Sequence, residues 1–302
     1  MDTQRALKSV IALGTLMSAL LLGGCATHHN APAKNVSLEN TAFSTDYSVR
    51  FSPEDWPEAL YGDLYLPKGV TLRPVVLMVH GGGWERRSRG DMSWIAEELA
   101  SHGFAVFNVD YRFAPEYTFP AQLHDLQIAR TWLNRHADQY QLDASRVYGF
   151  GFSSGAHLIA LLALVSSSGD AEALNQPYGG SDTVLRAVVA GGTPADLTTF
   201  GSGKLLRQFL GGAQPDIPDT YRTASPITHV TGDAPPFFLF HGNMDSLVPF
   251  RQAKTLHQTL LASGVESELY EMRLRGHVTS FLTAGSAVSE ASGFLKRHSN
   301  RR

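Results

Sequence analysis

Cysteine is nearly absent from this sequence, and its scarcity limits what can hold the chain together. Cys25 is the only cysteine, so no intramolecular disulfide can form. Charge of one sign is not concentrated anywhere either, since 25 Lys and Arg stand against 28 Asp and Glu. The longest basic stretch is residues 85–89, which we expect to be a solvated loop. The sequence therefore gives no sign of a nucleic-acid-binding surface.

The sequence also lacks a comfortable membrane-spanning run near its start. The apolar residues 10–22 follow Arg5 and Lys8, but they are too few and too early in the chain for a transmembrane helix. A basic segment, a short apolar run and then small residues are typical of a secretory signal. Residues 22–25, Leu-Gly-Gly-Cys, resemble the bacterial lipobox, in which the cysteine is diacylated and becomes the mature N-terminus.

Lipidation of Cys25 is therefore our hypothesis for the N-terminus, and an ordinary secretory signal that happens to contain a cysteine is the alternative. Acyl chains would anchor the protein to a membrane, because each buried methylene contributes about 0.8 kcal/mol. Ala26 is not the aspartate that retains many lipoproteins at the inner membrane, which favours the outer membrane, facing the periplasm of the bacterial envelope. We expect a signal peptide over residues 1–24 and a flexible tether over residues 25–45. The tether contains His28 and His29, but two histidines in a flexible segment do not indicate a metal site.

Residues 46–302 have the pattern of one α/β domain. The chain is 43% hydrophobic and 18% charged, a globular composition with enough length for a large core. Strands and helices alternate, which predicts a mostly parallel sheet with helices on both faces. Residues 193–232, rich in Gly, Pro, Thr and Asp, interrupt this rhythm, and we expect a small lid or wall over the carboxyl edge of the sheet. Strands are predicted at 59–66, 74–79, 104–109, 147–152, 185–190, 235–240 and 265–272, and helices at 93–102, 120–140, from 154 onward, 248–263 and 278–296.

The stretch with the clearest chemical meaning is residues 146–158. An apolar strand leads to Ser153, an apolar helix follows, and Gly151 and Gly155 complete the pattern G-x-S-x-G. A serine on so sharp a strand-to-helix turn needs glycine on both sides, because a Cβ there would collide with neighbouring backbone. The turn exposes the Ser153 hydroxyl beside the unpaired N–H groups of a helix N-terminus. This arrangement suits the nucleophile of an acyl transfer.

A glycine-rich loop at residues 80–84, His-Gly-Gly-Gly-Trp, follows another buried strand. Such a backbone can turn N–H groups into a site, and we predict that Gly82, Gly83 and Ser154 donate to an oxyanion. Loss of one such donor typically costs about 3 kcal/mol of barrier height. The alternative is a plain flexible turn, with His80 holding the loop in place.

A serine nucleophile also needs a base and a group that orients the base. His277, in the loop after the last strand, is the candidate base, and Asp245, after the next-to-last strand, is the candidate acid. Asp245 could instead cap the helix that begins near Pro249. Rival acids are Asp196 and Asp233, but neither directly follows a strand. His157 is close to Ser153 in sequence, but it would point along its helix and not over the hydroxyl.

Together these motifs resemble the α/β-hydrolase superfamily. The nearest branch resembles small bacterial carboxylesterases with an H-G-G-G-W loop, akin to hormone-sensitive-lipase-like and feruloyl- or acetyl-esterase-like enzymes. The resemblance covers residues 45–302 and implies no metal and no organic cofactor. It also implies scaffold roles for Asp110, Arg112 and Asp125. The motifs that carry it are residues 80–84, Asp110-Tyr111-Arg112, residues 151–155, His241-Gly242 with Asp245 and Pro249, and Gly276-His277.

The resemblance implies a serine carboxylesterase that hydrolyses short-chain or aryl esters through Ser153, His277 and Asp245. Alternatives are an envelope deacylase acting on acetyl or hydroxycinnamoyl esters of carbohydrates, a formamidase-like amidase, and a non-catalytic binding lipoprotein. The expected partner is a small ester, with membrane contact through the lipid anchor and no nucleic acid. An acyl pocket could be lined by aromatic residues, although such residues more often belong to a core. The candidates are Trp84, Phe113, Phe200 and Phe209.

Overall fold

A computed structural model describes residues 26–33, 36–169, 172–201 and 203–300. The predicted signal peptide and the predicted lipidation site Cys25 therefore lie outside the described residues. Within them, no helix has both the length and the apolar character needed to cross a membrane.

A nine-stranded sheet organises the described chain, with the strand order β1-β9-β8-β7-β6-β4-β5-β3-β2. Strands β4 to β9 pair in parallel with their neighbours, whereas β1, β2 and β3 pair antiparallel. The predicted α/β fold with a mostly parallel sheet is confirmed. The strands are β1 (Ala26–His29), β2 (Phe43–Arg50), β3 (Tyr61–Pro67), β4 (Arg73–Val79), β5 (Ala105–Val109), β6 (Leu142–Phe152), β7 (Val188–Gly191), β8 (Phe237–Gly242) and β9 (Ser267–Met272).

Helices cover both faces of the sheet, and this explains the continuous apolar strands. Alternate residues of β4 face opposite layers: Val75 and Leu77 belong to one apolar cluster, and Val76 and Met78 to the other. Both faces are covered, so residues 74–79 of this strand are all apolar. The α-helices are α1 (Ser93–Ser101), α2 (Ala121–Arg135), α3 (Ala137–Tyr140), α4 (Ser154–Ser167), α5 (Glu172–Asn175), α6 (Lys204–Leu210), α7 (Pro218–Thr223), α8 (Arg251–Ala262), α9 (His277–Leu282) and α10 (Gly285–Ser299).

Two predicted helices are each divided in the structure. The helix expected over residues 120–140 breaks at His136, whose backbone leaves helical geometry at φ −109° and ψ 12°. The helix expected over residues 278–296 breaks after α9, because Thr283 adopts φ −115° and ψ 25°. The second break concerns the site, since α9 begins at His277, whose ring reaches Ser153.

The expected flexible tether over residues 25–45 is wrong for two stretches. Ala26–His29 form the edge strand β1, paired antiparallel with β9, and β2 begins at Phe43. Partners on the sheet fix β1 in place: His28 Nε2 lies 2.9 Å from Glu268 Oε2, and His29 Nε2 lies 3.2 Å from Glu271 Oε2. The small, polar sequence did not reveal this strand, because the carboxylates that hold it, Glu268 and Glu271, are distant in the chain.

The segment over residues 193–232 forms a packed wall of short helices beside the carboxyl edge. Its first residues are buried at Thr193 and Ala195, and α6 turns Phe209 onto Trp84, with ring centroids 4.5 Å apart. Leu205 of the same helix lies against Gly83. The wall therefore contacts the glycine-rich loop directly.

Candidate active site

The turn around Ser153 has the geometry that the G-x-S-x-G pattern predicts. Strand β6 ends at Phe152, α4 begins at Ser154, and Ser153 between them has φ +55° and ψ −123°. This left-handed backbone is unusual for a residue with a side chain. A Cβ at Gly151 would overlap the carbonyl of Gly155, and a Cβ at Gly155 would overlap the carbonyl of Val79. Glycine is therefore required on both sides of Ser153.

The structure brings Ser153, His277 and Asp245 into one hydrogen-bonded chain. His277 Nε2 lies 2.8 Å from Ser153 Oγ, and His277 Nδ1 lies 2.6 Å from Asp245 Oδ2. With the proton on Nδ1, the imidazole donates to the carboxylate and accepts from the serine hydroxyl. This is the arrangement in which a histidine can take a proton from serine.

Asp245 is buried and held by more than His277. Its Oδ1 accepts from the backbone N–H groups of Leu247 and Val248, at 2.9 and 2.8 Å, while His241 Nε2 lies 3.2 Å from Oδ2. Burial raises the pKa of the Asp245 carboxyl, but hydrogen bonds from His241 and His277 outweigh burial and hold that pKa well below its usual range. The carboxylate is therefore ionised at neutral pH.

The alternatives for the acid fit the structure less well. Helix α8 begins at Arg251 with Phe250 at its N-cap position, so Asp245 does not cap it. Asp196 Oδ1 accepts from the N–H and the hydroxyl of Thr198, which is a local turn, and Asp233 is exposed. His241 is the participant that the sequence reasoning gave no role. Its only signal in the sequence was its place in β8, the strand that leads to Asp245.

The glycine-rich loop doubles back over Ser153. Three successive residues have positive φ: Gly82 at +125°, Gly83 at +65° and Trp84 at +62°. A Cβ at Gly82 would overlap the carbonyl of Arg86, and a Cβ at Gly81 would lie 3.3 Å from Ser153 Cβ. The loop thus lies beside the serine, where α4 also presents the N–H of Ser154. Oxyanion binding by Gly82, Gly83 and Ser154 stays a prediction.

Trp84 links this loop to helix α4 and to the wall formed by residues 193–232. Its Nε1–H donates to His157 Nδ1 at 3.2 Å, and His157 Nε2–H donates to the carbonyl of Ala224 at 2.8 Å. Burial lowers the pKa of His157 to about 4, so the ring is neutral and serves as a structural connector, in line with the prediction that it does not point over the hydroxyl. Trp84 and Phe209 are both buried, so neither lines an open acyl pocket.

The Asp110-Tyr111-Arg112 segment contacts the glycine-rich loop through Tyr111. Tyr111 OH lies 3.3 Å from both the His80 carbonyl and Ser154 Oγ, and the His80 ring stacks on Tyr111. Arg112 Nε donates to Asp125 Oδ1 at 2.8 Å in a buried ion pair. These contacts are those of a scaffold.

Asp110 is bound by Arg89 and not by Arg112. This contact corrects the expectation that residues 85–89 form a solvated loop. Arg89 donates to Asp110 from its backbone N–H at 2.9 Å and from its guanidinium, and its Nε lies 2.9 Å from Asp63 Oδ1. Residues 85–89 are therefore not uniformly a solvated loop. Arg86 and Arg87 are exposed, whereas Arg89 ties the loop to β3 and to the residue after β5.

A family model, BD-FAE, matches residues 62–260, a range that includes the glycine-rich loop, Ser153 and Asp245. The chain belongs to the BD-FAE family. The α/β-hydrolase resemblance seen in the motifs is confirmed. The BD-FAE match ends before His277, so the position of this histidine beside Ser153 comes from the structure alone.

Two curated relatives of this BD-FAE chain come from Mycobacterium tuberculosis. Esterase LipC is 32% identical over 63% of this chain and 48% of its own length. The protein named probable carboxylic ester hydrolase LipM is 29% identical over 72% of this chain and 52% of its own length. The chain spans about half the length of these curated relatives.

A solved structure shares the fold of this BD-FAE member. The truncated form of a carbohydrate esterase from gut microbiota superposes with a TM-score of 0.75 at 22% identity, covering 89% of this chain and 100% of that one. At this identity the likeness establishes the fold.

Proposed function

We propose that the protein is a serine carboxylesterase that hydrolyses short-chain or aryl esters. The observation that carries the proposal is the chain of hydrogen bonds from Ser153 Oγ through His277 to the ionised Asp245. The names of the curated relatives, an esterase and a probable carboxylic ester hydrolase, support the same reaction.

The mechanism follows from the positions of these groups. Ser153 Oγ attacks the ester carbonyl while His277 Nε2 takes the hydroxyl proton, and Asp245 stabilises the imidazolium that forms. The developing oxyanion is held by the N–H groups of Gly82, Gly83 and Ser154. His277 then gives its proton to the departing alcohol, leaving an acyl-enzyme. Water, deprotonated by His277, hydrolyses this intermediate and restores Ser153.

Carbohydrate esters are the second candidate substrates. The solved structure with the same fold is titled a carbohydrate esterase, and acetyl or hydroxycinnamoyl esters of carbohydrates suit the same chemistry. An amide substrate and a purely binding role rank lower, since no observation favours an amide and all three members of the hydrogen-bonded chain are present.

Membrane anchoring through Cys25 is a further part of the proposal. Its support is the sequence of residues 1–25: a basic start, an apolar run, and two glycines before the only cysteine. Acyl chains on Cys25 would place the protein in the bacterial envelope, at the outer membrane and facing the periplasm.

The test is hydrolysis of nitrophenyl esters from acetate to palmitate, with Ser153→Ala as the inactive variant and Ser166→Ala as the matched control. Ser166 lies on the same helix, and its hydroxyl donates to the Ala163 carbonyl. We expect turnover of the short esters, full loss in Ser153→Ala and little change in Ser166→Ala. Equal activity in all three proteins would refute the assignment of Ser153.

A further inference from the structure

Five large apolar side chains are exposed around His277. They are carried by the loop after β8, the loop after β9 and helix α9, the elements that hold Asp245 and His277. We call this set the apolar rim. Its members, with their exposed fractions, are Met244 (63%), Leu247 (57%), Leu274 (75%), Val278 (64%) and Leu282 (72%).

The two loops that carry Met244, Leu247 and Leu274 are held together by hydrogen bonds. The Met244 N–H donates to the Arg275 carbonyl at 3.0 Å, and the Leu274 N–H donates to Asn243 Oδ1 at 2.9 Å. These bonds join the two loops. Val278 and Leu282 are four residues apart on α9, so they share one face of the helix.

The described chain enters the fold next to this rim. Ala26, the first residue of β1, pairs with Met272, the last residue of β9, and Arg273 Nε donates to Thr27 Oγ1 at 3.0 Å. Since β9 runs parallel to β8, Met272 lies at the carboxyl edge of the sheet. Cys25, the proposed lipidation site, is thus bonded to a residue whose partner in β9, Met272, lies two residues before Leu274.

Cationic side chains accompany the apolar rim. Arg273 is exposed and Arg275 is half-buried, one on either side of Leu274 in the sequence. Apolar side chains beside guanidinium groups suit the boundary between acyl chains and anionic headgroups.

We propose that the apolar rim is a membrane-contact surface, which rests on an anionic phospholipid bilayer and turns the catalytic edge of the sheet toward the lipid. The ester then reaches Ser153 from the lipid–water interface. This proposal rests on the proposed esterase function for its substrate, but the placement of the rim on the bilayer has its own readout.

The first test compares two esters with the full chain on vesicles of phosphatidylethanolamine and phosphatidylglycerol. Leu274→Ser/Leu282→Ser alters the rim without touching a catalytic group. Leu72→Ser is the matched control, because Leu72 is 62% exposed, has φ +52° against +57° for Leu274, and precedes β4 at the opposite edge. We expect the rim variant to lose about tenfold in turnover of a nitrophenyl acetate that is held in the vesicle by an alkyl chain on its ring, and to keep its turnover of soluble nitrophenyl acetate. Equal turnover of the embedded ester by all three proteins would overturn the proposal.

The second test needs no activity and keeps the two proposals distinguishable. Leu274→Trp and Leu72→Trp in the full chain are mixed with vesicles containing dibrominated phospholipid, and the quenching is compared with that of the unmodified chain. We expect added quenching for Leu274→Trp alone. No added quenching at position 274, as when the rim is covered by another copy of the chain or by its own N-terminal segment, contradicts membrane contact. If nitrophenyl acetate is not hydrolysed yet Leu274→Trp is quenched, the esterase proposal fails and the contact surface stands.

Discussion

At the scale of single residues, Asp245 is held by contacts to both of its carboxylate oxygens. One carboxylate oxygen meets two histidines, His277 Nδ1 at 2.6 Å and His241 Nε2 at 3.2 Å, while the other accepts two backbone N–H groups. Such a carboxylate can neither rotate nor take up a proton at neutral pH. It therefore fixes the tautomer of His277, which decides whether Ser153 can lose its proton.

Replacing this carboxylate should affect kcat far more than KM. In Asp245→Asn the amide no longer favours a proton on Nδ1, so the proton moves to Nε2 and faces Ser153. We expect kcat on nitrophenyl acetate to fall by about 10⁴-fold, with KM nearly unchanged. Asp196→Asn is the control, since Asp196 bonds locally to Thr198, and it should keep most of its activity. Similar kcat losses in the two variants would contradict the assigned acid.

Some of these residues could be predicted from the sequence and others could not. Ser153, Asp245 and His277 each come after a predicted strand, and the carboxyl ends of parallel strands meet at one edge, so their meeting was predictable. His241 was not assigned, because the contact of its ring with the Val248 carbonyl at 2.8 Å depends on the path of the six residues between them. Arg89 was misassigned because its partner Asp63 is distant in sequence and its neighbours Arg86 and Arg87 are exposed.

At the scale of elements, the strand–turn–helix of β6 and α4 holds Ser153 in a strained backbone. Ser153 is held in a left-handed backbone, and the packing of α4 against β4 keeps it there. That packing brings Gly155 against the carbonyls of Val79 and His80. The close approach positions the hydroxyl, and it is possible only without a side chain.

A methyl group at this contact should therefore damage the site. In Gly155→Ala the new Cβ overlaps the Val79 carbonyl, so α4 must shift away from β4. We expect a loss of stability on the order of 3 kcal/mol and a fall of about 100-fold in kcat/KM, measured by denaturant unfolding and ester hydrolysis. Gly285→Ala is the matched control on α10, where nothing lies within 4 Å of the new Cβ. Wild-type behaviour of Gly155→Ala would show that the helix does not hold the serine as described.

The sequence patterns missed elements that are stabilised by residues distant in the chain. Strand β1 depends on Glu268 and Glu271, more than two hundred residues later. Strand β2 pairs with β3 through a register shift between Asp46 and Val49, which interrupts the alternation that would have revealed it. By contrast, the runs in β4 and β8 are apolar throughout and were predicted within two residues.

At the scale of the whole molecule, the sheet gathers the functional parts at one edge. Four parts of the site lie at the carboxyl ends of parallel strands of this sheet. They are the glycine-rich loop after β4, Ser153 after β6, the loop with Asp245 after β8 and His277 after β9. Antiparallel β1 brings the start of the described chain to the same edge. The active site and the proposed anchor therefore share one side of the protein.

The central claim, that Ser153 is a nucleophile activated by His277, is tested most directly by covalent labelling with a fluorophosphonate followed by peptide mass spectrometry. We expect a single adduct on Ser153, formed at neutral pH and lost in His277→Ala, because the unactivated hydroxyl is a weak nucleophile. An adduct on Ser154 or elsewhere in the folded protein, or labelling of Ser153 that is unaffected by His277→Ala, would contradict the account.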